Sequence, residues 1–138
     1  MTKLPNMLKK SPKNKIAIIK AEFNPFITDR LLVEAEKVLQ EHKVNYDVFT
    51  VPGSFEIPFM INKLQGKYDG FIALGCLIKG ETLHFEIIAQ ALCLELMHLA
   101  VKLNKPVGFG VLTLLKRSQA DARIKNARHA ALTVLQLL

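Results

Sequence analysis

The sequence predicts a three-layer α/β domain built on a four-stranded parallel sheet. Segments with the apolar, β-branched composition of buried strands alternate with segments whose apolar residues recur at helical spacing. Residues 69–77 are apolar at nearly every position, which is typical of a parallel strand covered on both faces. Strands and helices that alternate in this way form right-handed βαβ units, so we expect a doubly wound sheet.

The four strands are predicted at residues 15–23, 46–51, 69–77 and 106–113. The helical regions that follow them are predicted at residues 28–42, 55–64, 82–103 and 116–138. Thr28 is the expected N-cap of the first helix, and the Pro52-Gly53 turn precedes the second. A break near residues 124–126 divides the last region into two helical pieces.

Composition fits a single cytoplasmic domain. The chain has 138 residues, of which 50% are hydrophobic and 22% charged, and this is enough apolar material for a core. No apolar run approaches the roughly 20 residues of a membrane span, and no apolar segment follows the basic N-terminus as it would in a secretory signal. We therefore expect a cytoplasmic enzyme or binding protein with no membrane partner.

Much of the net charge of +7 lies in residues 1–14, which are rich in lysine and contain Pro5 and Pro12. We predict a flexible basic tail there, with the folded domain at residues 15–138. Such a tail can be a solvated segment that aids solubility, or it can contact nucleic acid or an acidic surface. Since no aromatic residues for base stacking are interleaved with its lysines, we expect no nucleic-acid partner.

The two cysteines, Cys76 and Cys93, lie far apart in apolar surroundings. Neither belongs to a Cys-x-x-Cys pair or to the Cys/His spacing of a zinc site. We interpret both as reduced core residues and expect no metal site.

The predicted arrangement is flavodoxin-like in outline, and ligands of such sheets bind beyond the carboxyl ends of the strands. Phe23 and Asn24 follow the first strand. Phe23 can stack on a planar heterocycle, although its position alone favours a place in the core. Asn24 can bind a polar ligand group, or it can merely form an Asx-turn before Pro25.

The segment V-P-G-S-F-E-I-P, residues 51–58, follows the second strand. Ser54 can cap the next helix, whose first-turn amides are free to donate to a ligand. Glu56 lies in that first turn, where the helix dipole favours a carboxylate. It can accept hydrogen bonds from sugar-like hydroxyls, or it can serve helix initiation alone.

The segment L-I-K-G-E-T-L-H-F-E, residues 77–86, follows the third strand. Gly80 permits a tight approach, and Glu81 and Thr82 open the long helix, whose free N–H groups suit an anion such as phosphate. His84 lies in the first turn, where an imidazole can exchange protons near neutral pH. A lone histidine is usually structural, but the neighbouring anion-suited helix start favours a catalytic role.

Several common signatures are absent from the sequence. There is no G-x-G-x-x-G after the first strand, no G-x-x-x-x-G-K-[ST] loop and no nucleophile elbow. Dinucleotide-binding and P-loop functions are therefore poorly supported.

Four motifs, in this order along the chain, resemble the 6,7-dimethyl-8-ribityllumazine synthase family. They are F-N-x-F-I-T at residues 23–28, V-P-G-S-F-E-I-P at 51–58, A-L-G-C-L-I-K-G-E-T-L-H-F-E at 73–86 and F-G-V-L-T at 109–113. Each motif is moderately specific alone, and together they extend the resemblance over roughly residues 15–123.

The resemblance implies an enzyme of riboflavin biosynthesis. In that reaction the 5-amino group of 5-amino-6-(D-ribitylamino)uracil attacks the ketone of 3,4-dihydroxy-2-butanone 4-phosphate. Imine formation, loss of phosphate, ring closure and dehydration then give 6,7-dimethyl-8-ribityllumazine. The family uses neither a metal nor an organic cofactor.

The resemblance also implies which residues bind the pyrimidine. Phe23 would stack on the ring, and Ile78 would contact its edge. The ribityl chain would be held by the side chains of Asn24 and Glu56 and by the backbone around Ser54 and Phe55.

Other residues would bind phosphate and move protons. Glu81 and Thr82 would line the phosphate site, and Arg123 falls at the position of the family's phosphate-binding arginine. His84 would be the catalytic proton shuttle. Phe109 would come from a neighbouring subunit, so the resemblance implies a homo-oligomer, either a pentamer or a multiple of pentamers.

The sequence also departs from the family pattern. Glu22 stands where the family commonly has arginine, and residues 113–120 are T-L-L-K-R-S-Q-A where it commonly has T-T-D-T-x-E-Q-A. The family's glycine-rich A-G-N-K-G loop is missing after Arg123, and Lys125 and Arg128 are the candidates to replace its lysine. Since that loop lies where shell-forming contacts are shaped, we expect isolated pentamers.

Two other functions stay open at the level of sequence. One is a relative that binds ribityl-flavin ligands or forms a shell without turnover, which would keep ligand affinity and form no product. The other is a basic binding module of flavodoxin-like fold, whose activity would depend on residues 1–14.

Overall fold

The sheet is formed by the four apolar, β-branched segments that the sequence predicts. In the computed structural model, which describes residues 14–138, the strands are β1 (Lys15–Ala21), β2 (Asn45–Val51), β3 (Gly70–Ile78) and β4 (Val107–Leu114). Their order across the sheet is β2-β1-β3-β4, and every neighbouring pair is parallel. The predicted basic tail lies outside the described residues except for Asn14.

Helices cover both faces of the sheet. They are α1 (Pro25–Glu41), α2 (Ile57–Leu64), α3 (His84–Leu103) and α4 (Asn126–Leu137). The core residues of α1 and α4 pack against one face, and those of α2 and α3 pack against the other. The predicted three-layer, flavodoxin-like architecture is therefore confirmed. None of these helices, within the part of the chain that is described, is long and apolar enough to cross a membrane.

Strand alternation divides the core between the two faces. Ile16 and Ile18 of β1 point towards α1 and α4, while Ala17 and Ile19 point towards α2 and α3, because successive side chains of a strand face opposite ways. All four side chains are fully buried. Gly108 of β4 lets α4 approach closely, because a Cβ there would overlap the backbone of that helix.

The first helix starts one turn earlier than predicted. It begins at Pro25, and Asn24 at the cap position has a φ of 63°, in the left-handed region. Proline is favoured at the first helical position because it has no N–H to satisfy and its φ already fits the helix. Thr28, which we predicted as the N-cap, is instead buried inside α1.

The other predicted helices, in contrast, start later than expected, and the long one begins at His84 instead of residue 82. Ser54 does not cap an α-helix, because Ser54–Glu56 form a 3-10 turn that leads into α2 at Ile57. The first predicted piece of the C-terminal region consists of two 3-10 turns, Arg117–Gln119 and Asp121–Arg123. The predicted break before the final helix is confirmed, since α4 begins at Asn126.

Both cysteines are free, but only one of them is a core residue. Cys76 of β3 is buried, whereas Cys93 on α3 is exposed, so the core prediction is wrong for Cys93. Leu92, Leu96 and Leu99 are the residues of α3 that pack against the sheet, and Cys93 lies beside this row, on the flank of the helix next to β4. Its apolar sequence neighbours misled the prediction. Burial raises the pKa of the Cys76 thiol to about 11, an effect that the nearby charge of Arg117 partly opposes.

A polar network joins the amino ends of the first three strands. The Tyr68 hydroxyl donates to the carboxylate of Asp47 at 2.7 Å, and the Lys15 ammonium lies 3.0 Å from the same carboxylate. Burial and the bond to Asp47 raise the pKa of Tyr68 to about 12. The hydrogen bonds from Tyr68 and Lys15 hold the pKa of Asp47 below its ordinary value.

Candidate active site

A cavity of about 420 Å³ opens at the carboxyl ends of β1, β2 and β3. It is lined by Phe23, Gly53, Ser54, Phe55, Leu77, Ile78, His84, Phe85 and Ile88. Five predicted site residues therefore meet in one place: Phe23, Ser54, Phe55, Ile78 and His84. They come from three different loops, which adjacent parallel strands bring to the same edge of the sheet.

The Phe23 ring faces solvent. Its side chain is 68% exposed, so the core position that its sequence context favoured is wrong. The reason is that β1 ends at Ala21, two residues earlier, and Phe23 lies beyond the sheet. Phe55 across the cavity is 71% exposed. Two aromatic rings left this open are available to a planar ligand.

Asn24 ties the loop after β1 to the end of β3. Its Nδ2 donates to the carbonyl oxygen of Cys76 at 3.0 Å, and its Oδ1 accepts from the Arg117 guanidinium at 3.2 Å. The side chain thus makes long-range contacts at both ends. It does not line the cavity, but it follows Phe23 directly and fixes the loop that carries this ring.

The loop after β2 is packed closely onto β3. Ser54 is buried, and its hydroxyl lies over Gly75, where any Cβ would overlap it. Gly75 therefore allows the first turn after β2 to approach the sheet. The Glu56 carboxylate accepts from the amide of Gly53 at 2.9 Å, which is the helix-start contact that was one of its two interpretations. Glu56 is half-buried and lies outside the lining of the cavity.

The loop between β3 and α3 is open by comparison. His84 is the first residue of α3, is exposed and lines the cavity. The Thr82 hydroxyl accepts from the His84 amide at 3.3 Å. Glu81 and Thr82 are exposed and lie outside the cavity lining. A Cβ on Gly80 would meet no atom within 4 Å, so the tight approach predicted there is not found within this protomer.

Phe109 and Arg123 lie away from the cavity. Phe109 on β4 is 42% exposed and lines a separate cavity of about 320 Å³, between β4 and the flank of α3 that carries Cys93. Arg123 is exposed and donates to the carbonyl oxygen of Gln119 at 3.4 Å. Of the two candidates to replace the family's lysine, Lys125 is exposed, while Arg128 is held by Glu34 and Glu41.

Sequence analysis missed several residues around the site. Phe85 and Ile88 line the cavity, and Ile88 was detectable because it lies four residues after His84 on the same helical face. Arg117 was missed because nothing in its local sequence shows that it reaches Asn24, which is 93 residues away. Among residues 14–138, no three His, Cys, Asp or Glu side chains are grouped to hold a metal ion.

The family model and the sequence relatives that match this chain carry the same description. The sequence model for 6,7-dimethyl-8-ribityllumazine synthase matches residues 13–138. The chain is 46% identical to the 6,7-dimethyl-8-ribityllumazine synthase of Bartonella bacilliformis over 114 residues, which are 80% of this chain and 75% of the relative. It is 41% identical to the enzyme of the same description from Agrobacterium fabrum over 140 residues, 91% of this chain and 95% of the relative. The enzyme so described from Limosilactobacillus reuteri is 40% identical over 128 residues, 89% of this chain and 84% of its own.

Proposed function

The chain belongs to the 6,7-dimethyl-8-ribityllumazine synthase family, and on this premise we propose that the 420 Å³ cavity is its active site. Its activity is that of a lumazine synthase in riboflavin biosynthesis. The substrates proposed for the site are 5-amino-6-(D-ribitylamino)uracil and 3,4-dihydroxy-2-butanone 4-phosphate. The observation that carries the proposal is that an open aromatic ring, Phe23, and a titratable side chain, His84, line the same cavity.

The pyrimidine half of the site is proposed to consist of Phe23, Asn24, Ser54, Phe55, Glu56 and Ile78. The exposed face of Phe23 stacks on the pyrimidine ring, while Ile78 at the end of β3 meets the ring edge. The ribityl hydroxyls need polar partners, and these are the side chains of Asn24 and Glu56 with the backbone around Ser54 and Phe55. The half-buried position of Glu56 supports this role, because it leaves part of the carboxylate in reach of a hydroxyl.

The phosphate half of the site is proposed to consist of Glu81, Thr82, Phe109 and Arg123. The start of α3 favours an anion because its dipole and its free N–H groups point towards this loop. Arg123 adds a planar guanidinium that suits phosphate oxygens. Phe109 then closes the site of a neighbouring subunit.

His84 lies between the two halves and is proposed to move the protons of the reaction. The substrate amine loses protons as it adds to the ketone, and the carbinolamine must be protonated before water leaves it. Loss of phosphate and the final dehydration need further proton transfers. An imidazole can both give and take protons at neutral pH. The proposed reaction uses no metal and no organic cofactor, so orienting two substrates supplies the remaining catalysis.

A homo-oligomer, with rings of five as the family resemblance implies, is proposed as the working form. Phe109 lines a different cavity from the one that Phe23 and His84 line, which supports its proposed role in the site of a neighbouring subunit. The outer side of α3 also carries four large apolar side chains that are all more than 60% exposed: Ile87, Leu94, Met97 and Val101. An apolar surface of this kind is expected at an interface between copies. A cytoplasmic location fits this biosynthetic role.

The decisive experiment is to mix the protein with both substrates and follow the absorbance of the lumazine product. Reactions that lack either substrate are the controls, together with protein that carries His84→Ala. Removal of residues 1–14 should leave the rate unchanged, whereas a binding module that acts through its tail would lose its activity. Binding of a ribityl-pyrimidine without any lumazine would identify a non-catalytic relative and would overturn the proposal.

A further inference from the structure

Arg117 makes a contact that the proposed chemistry has not yet used. It starts the first 3-10 turn after β4, and its guanidinium donates to Asn24 Oδ1 at 3.2 Å. Within residues 14–138 it forms no ion pair with a carboxylate: Glu22, which lines a cavity together with Arg117, pairs with Lys20, and Asp121 pairs with Arg30. The hydrogen bond to Asn24 is therefore its specific contact in the described structure.

This contact determines which way the Asn24 amide points. A carbonyl oxygen only accepts, so Cys76 requires the Nδ2 end of the amide, and a guanidinium only donates, so Arg117 requires the Oδ1 end. The two partners together permit one orientation and oppose a flip. The backbone of Asn24 is in the left-handed region, which asparagine adopts more readily than most other non-glycine residues.

The segment after β4 is also attached to α1 at a second point, through its second 3-10 turn. The Arg30 guanidinium lies 2.7 Å from the Asp121 carboxylate, and this pair joins α1 to the second 3-10 turn. A further cavity, of about 550 Å³, lies at this junction and is lined by Glu22, Phe23, Asn24, Pro25, Phe26, Pro52 and Arg117. Arg117 is thus a neighbour of Phe23 as well as a partner of Asn24. The turn after β4 supports the loop after β1, although β3 separates these strands in the sheet.

We propose that Arg117 is a positioning residue for the pyrimidine substrate. It acts through Asn24: it holds the amide in one orientation and so fixes the loop that presents Phe23 to the cavity. This inference rests on the proposed function, because it assumes that Phe23 and Asn24 bind the ribityl-pyrimidine.

The test is steady-state kinetics with each substrate varied separately. Arg117→Ala should raise the KM for the ribityl-pyrimidine about 3- to 10-fold, the effect of one ordinary hydrogen bond, because Arg117 acts through Asn24 and does not touch the substrate. The KM for the butanone phosphate and the kcat should change less than about 2-fold, because Arg117 lies outside the phosphate half. Arg117→Gln should recover most of the loss, since its amide can still donate to Asn24. Lys116→Ala, which removes the adjacent exposed cation, is the matched control and should match wild type.

A double-mutant cycle separates positioning from direct substrate contact. In an Asn24→Ala background, Arg117→Ala should have no further effect on the KM for the pyrimidine. A full additional effect in that background would show that Arg117 contacts the substrate itself and would overturn the proposal. So would a wild-type KM in Arg117→Ala, or equal increases in both KM values.

The Phe23→Ala variant, measured in parallel, distinguishes a failure of the positioning role of Arg117 from a failure of the proposed function of the cavity. If Phe23→Ala weakens pyrimidine binding and Arg117→Ala does not, only the positioning role is wrong. If neither variant changes it, the proposed function of the cavity fails as well.

Discussion

The two halves of the proposed site differ in how much of each is present in one protomer. In the pyrimidine half, Phe23, Phe55 and Ile78 line one cavity. Asn24 lies outside that lining and binds the end of β3, which holds the loop that carries Phe23. The phosphate half is dispersed. Thr82 lies in an open loop, Arg123 lies in a turn after β4, and Phe109 lies beyond α3.

Strand order explains this difference. β2, β1 and β3 are adjacent in the sheet, so the loops that follow them converge on one cavity. Phe109 lies on β4, which neighbours only β3, and Arg123 lies in a 3-10 turn after that strand, so neither residue belongs to the three loops that converge. On the proposed assignment, one protomer brings most of the pyrimidine half together, while the phosphate half is proposed to need a neighbouring copy.

The largest loss of activity is expected from a change at His84, which lies between the two halves of the proposed site. His84→Ala should fold normally and lower kcat by roughly 10²- to 10⁴-fold, the usual contribution of a proton-transfer group. His129→Ala, at an exposed position of α4 outside the cavity, is the matched control and should leave kcat unchanged. An unchanged pH profile of kcat in His84→Ala would remove this residue from the mechanism.

The dispersed half can be tested by mixing two defective chains. Phe109→Ala and His84→Ala should each be poorly active alone. If each site takes His84 from one chain and Phe109 from its neighbour, co-expression should restore both residues in about a quarter of the sites. Absence of any recovery, in mixed oligomers verified by mass spectrometry, would place both residues in the same protomer's site. An active monomer in analytical ultracentrifugation would contradict the shared site directly.

Arg123→Ala should change the KM for the butanone phosphate only. Loss of a charge-assisted bond to phosphate is expected to raise the KM for the butanone phosphate roughly 10- to 100-fold. The affinity for the pyrimidine should hardly change, and Arg123→Lys should recover part of the loss because lysine lacks the planar fork. Equal KM values for wild type and Arg123→Ala would assign the phosphate to Lys125. Arg128→Ala should instead lower stability, since that side chain is paired with two glutamates of α1.

Phe23→Ala should weaken binding of a ribityl-pyrimidine analogue by about 1–3 kcal/mol, the range seen for bases stacked on aromatic side chains. Phe23→Trp should be tolerated because it keeps a stacking surface. Phe59→Ala, an equally exposed phenylalanine on α2, is the control and should bind like wild type. Titration calorimetry gives the three affinities, and wild-type binding by Phe23→Ala would end its assignment to the site.

The smallest effect on activity is expected at the amino ends of the strands, which are opposite the cavity. Tyr68→Phe removes the bond to Asp47 and should lower the melting temperature by about 2–4 °C, with no change in kcat or KM. A carboxyl whose pKa is lowered in the folded state contributes stability above its unfolded pKa and loses it as the pH falls through the folded value. The difference in melting temperature should therefore be full at neutral pH and shrink in acid. A difference that grows in acid would contradict this account.

The sequence was sufficient for the sheet, because strands buried on both faces have a composition that few other elements share. Residues 69–77, for example, differ by one position from the observed β3. The predictions of where helices begin were less accurate. Thr28 has the chemistry of a cap, but Pro25 already supplies a start one turn earlier, and local preferences do not say which signal wins.

The site was predictable where neighbouring strands bring loops together and unpredictable where distant segments meet. Phe23, Phe55, Ile78 and His84 follow strands directly, so the strand-end rule was enough to group them. Arg117 reaches Asn24 only because the 3-10 turns fold back onto α1, and no local pattern encodes that contact. The exposure of Cys93 depends on which side of α3 meets the sheet, and a helix that is apolar all round leaves that side ambiguous.

Pro25 also bears on the chemical ageing of the site. Asparagine deamidates when the backbone nitrogen of the following residue attacks the side-chain carbonyl and closes a succinimide ring. The nitrogen of Pro25 carries no hydrogen, so it cannot form the neutral ring, and the amide of Asn24 is further held by Cys76 and Arg117. Asn24 should therefore resist slow conversion to aspartate, which would place a carboxylate against the carbonyl oxygen of Cys76 and loosen the loop that carries Phe23.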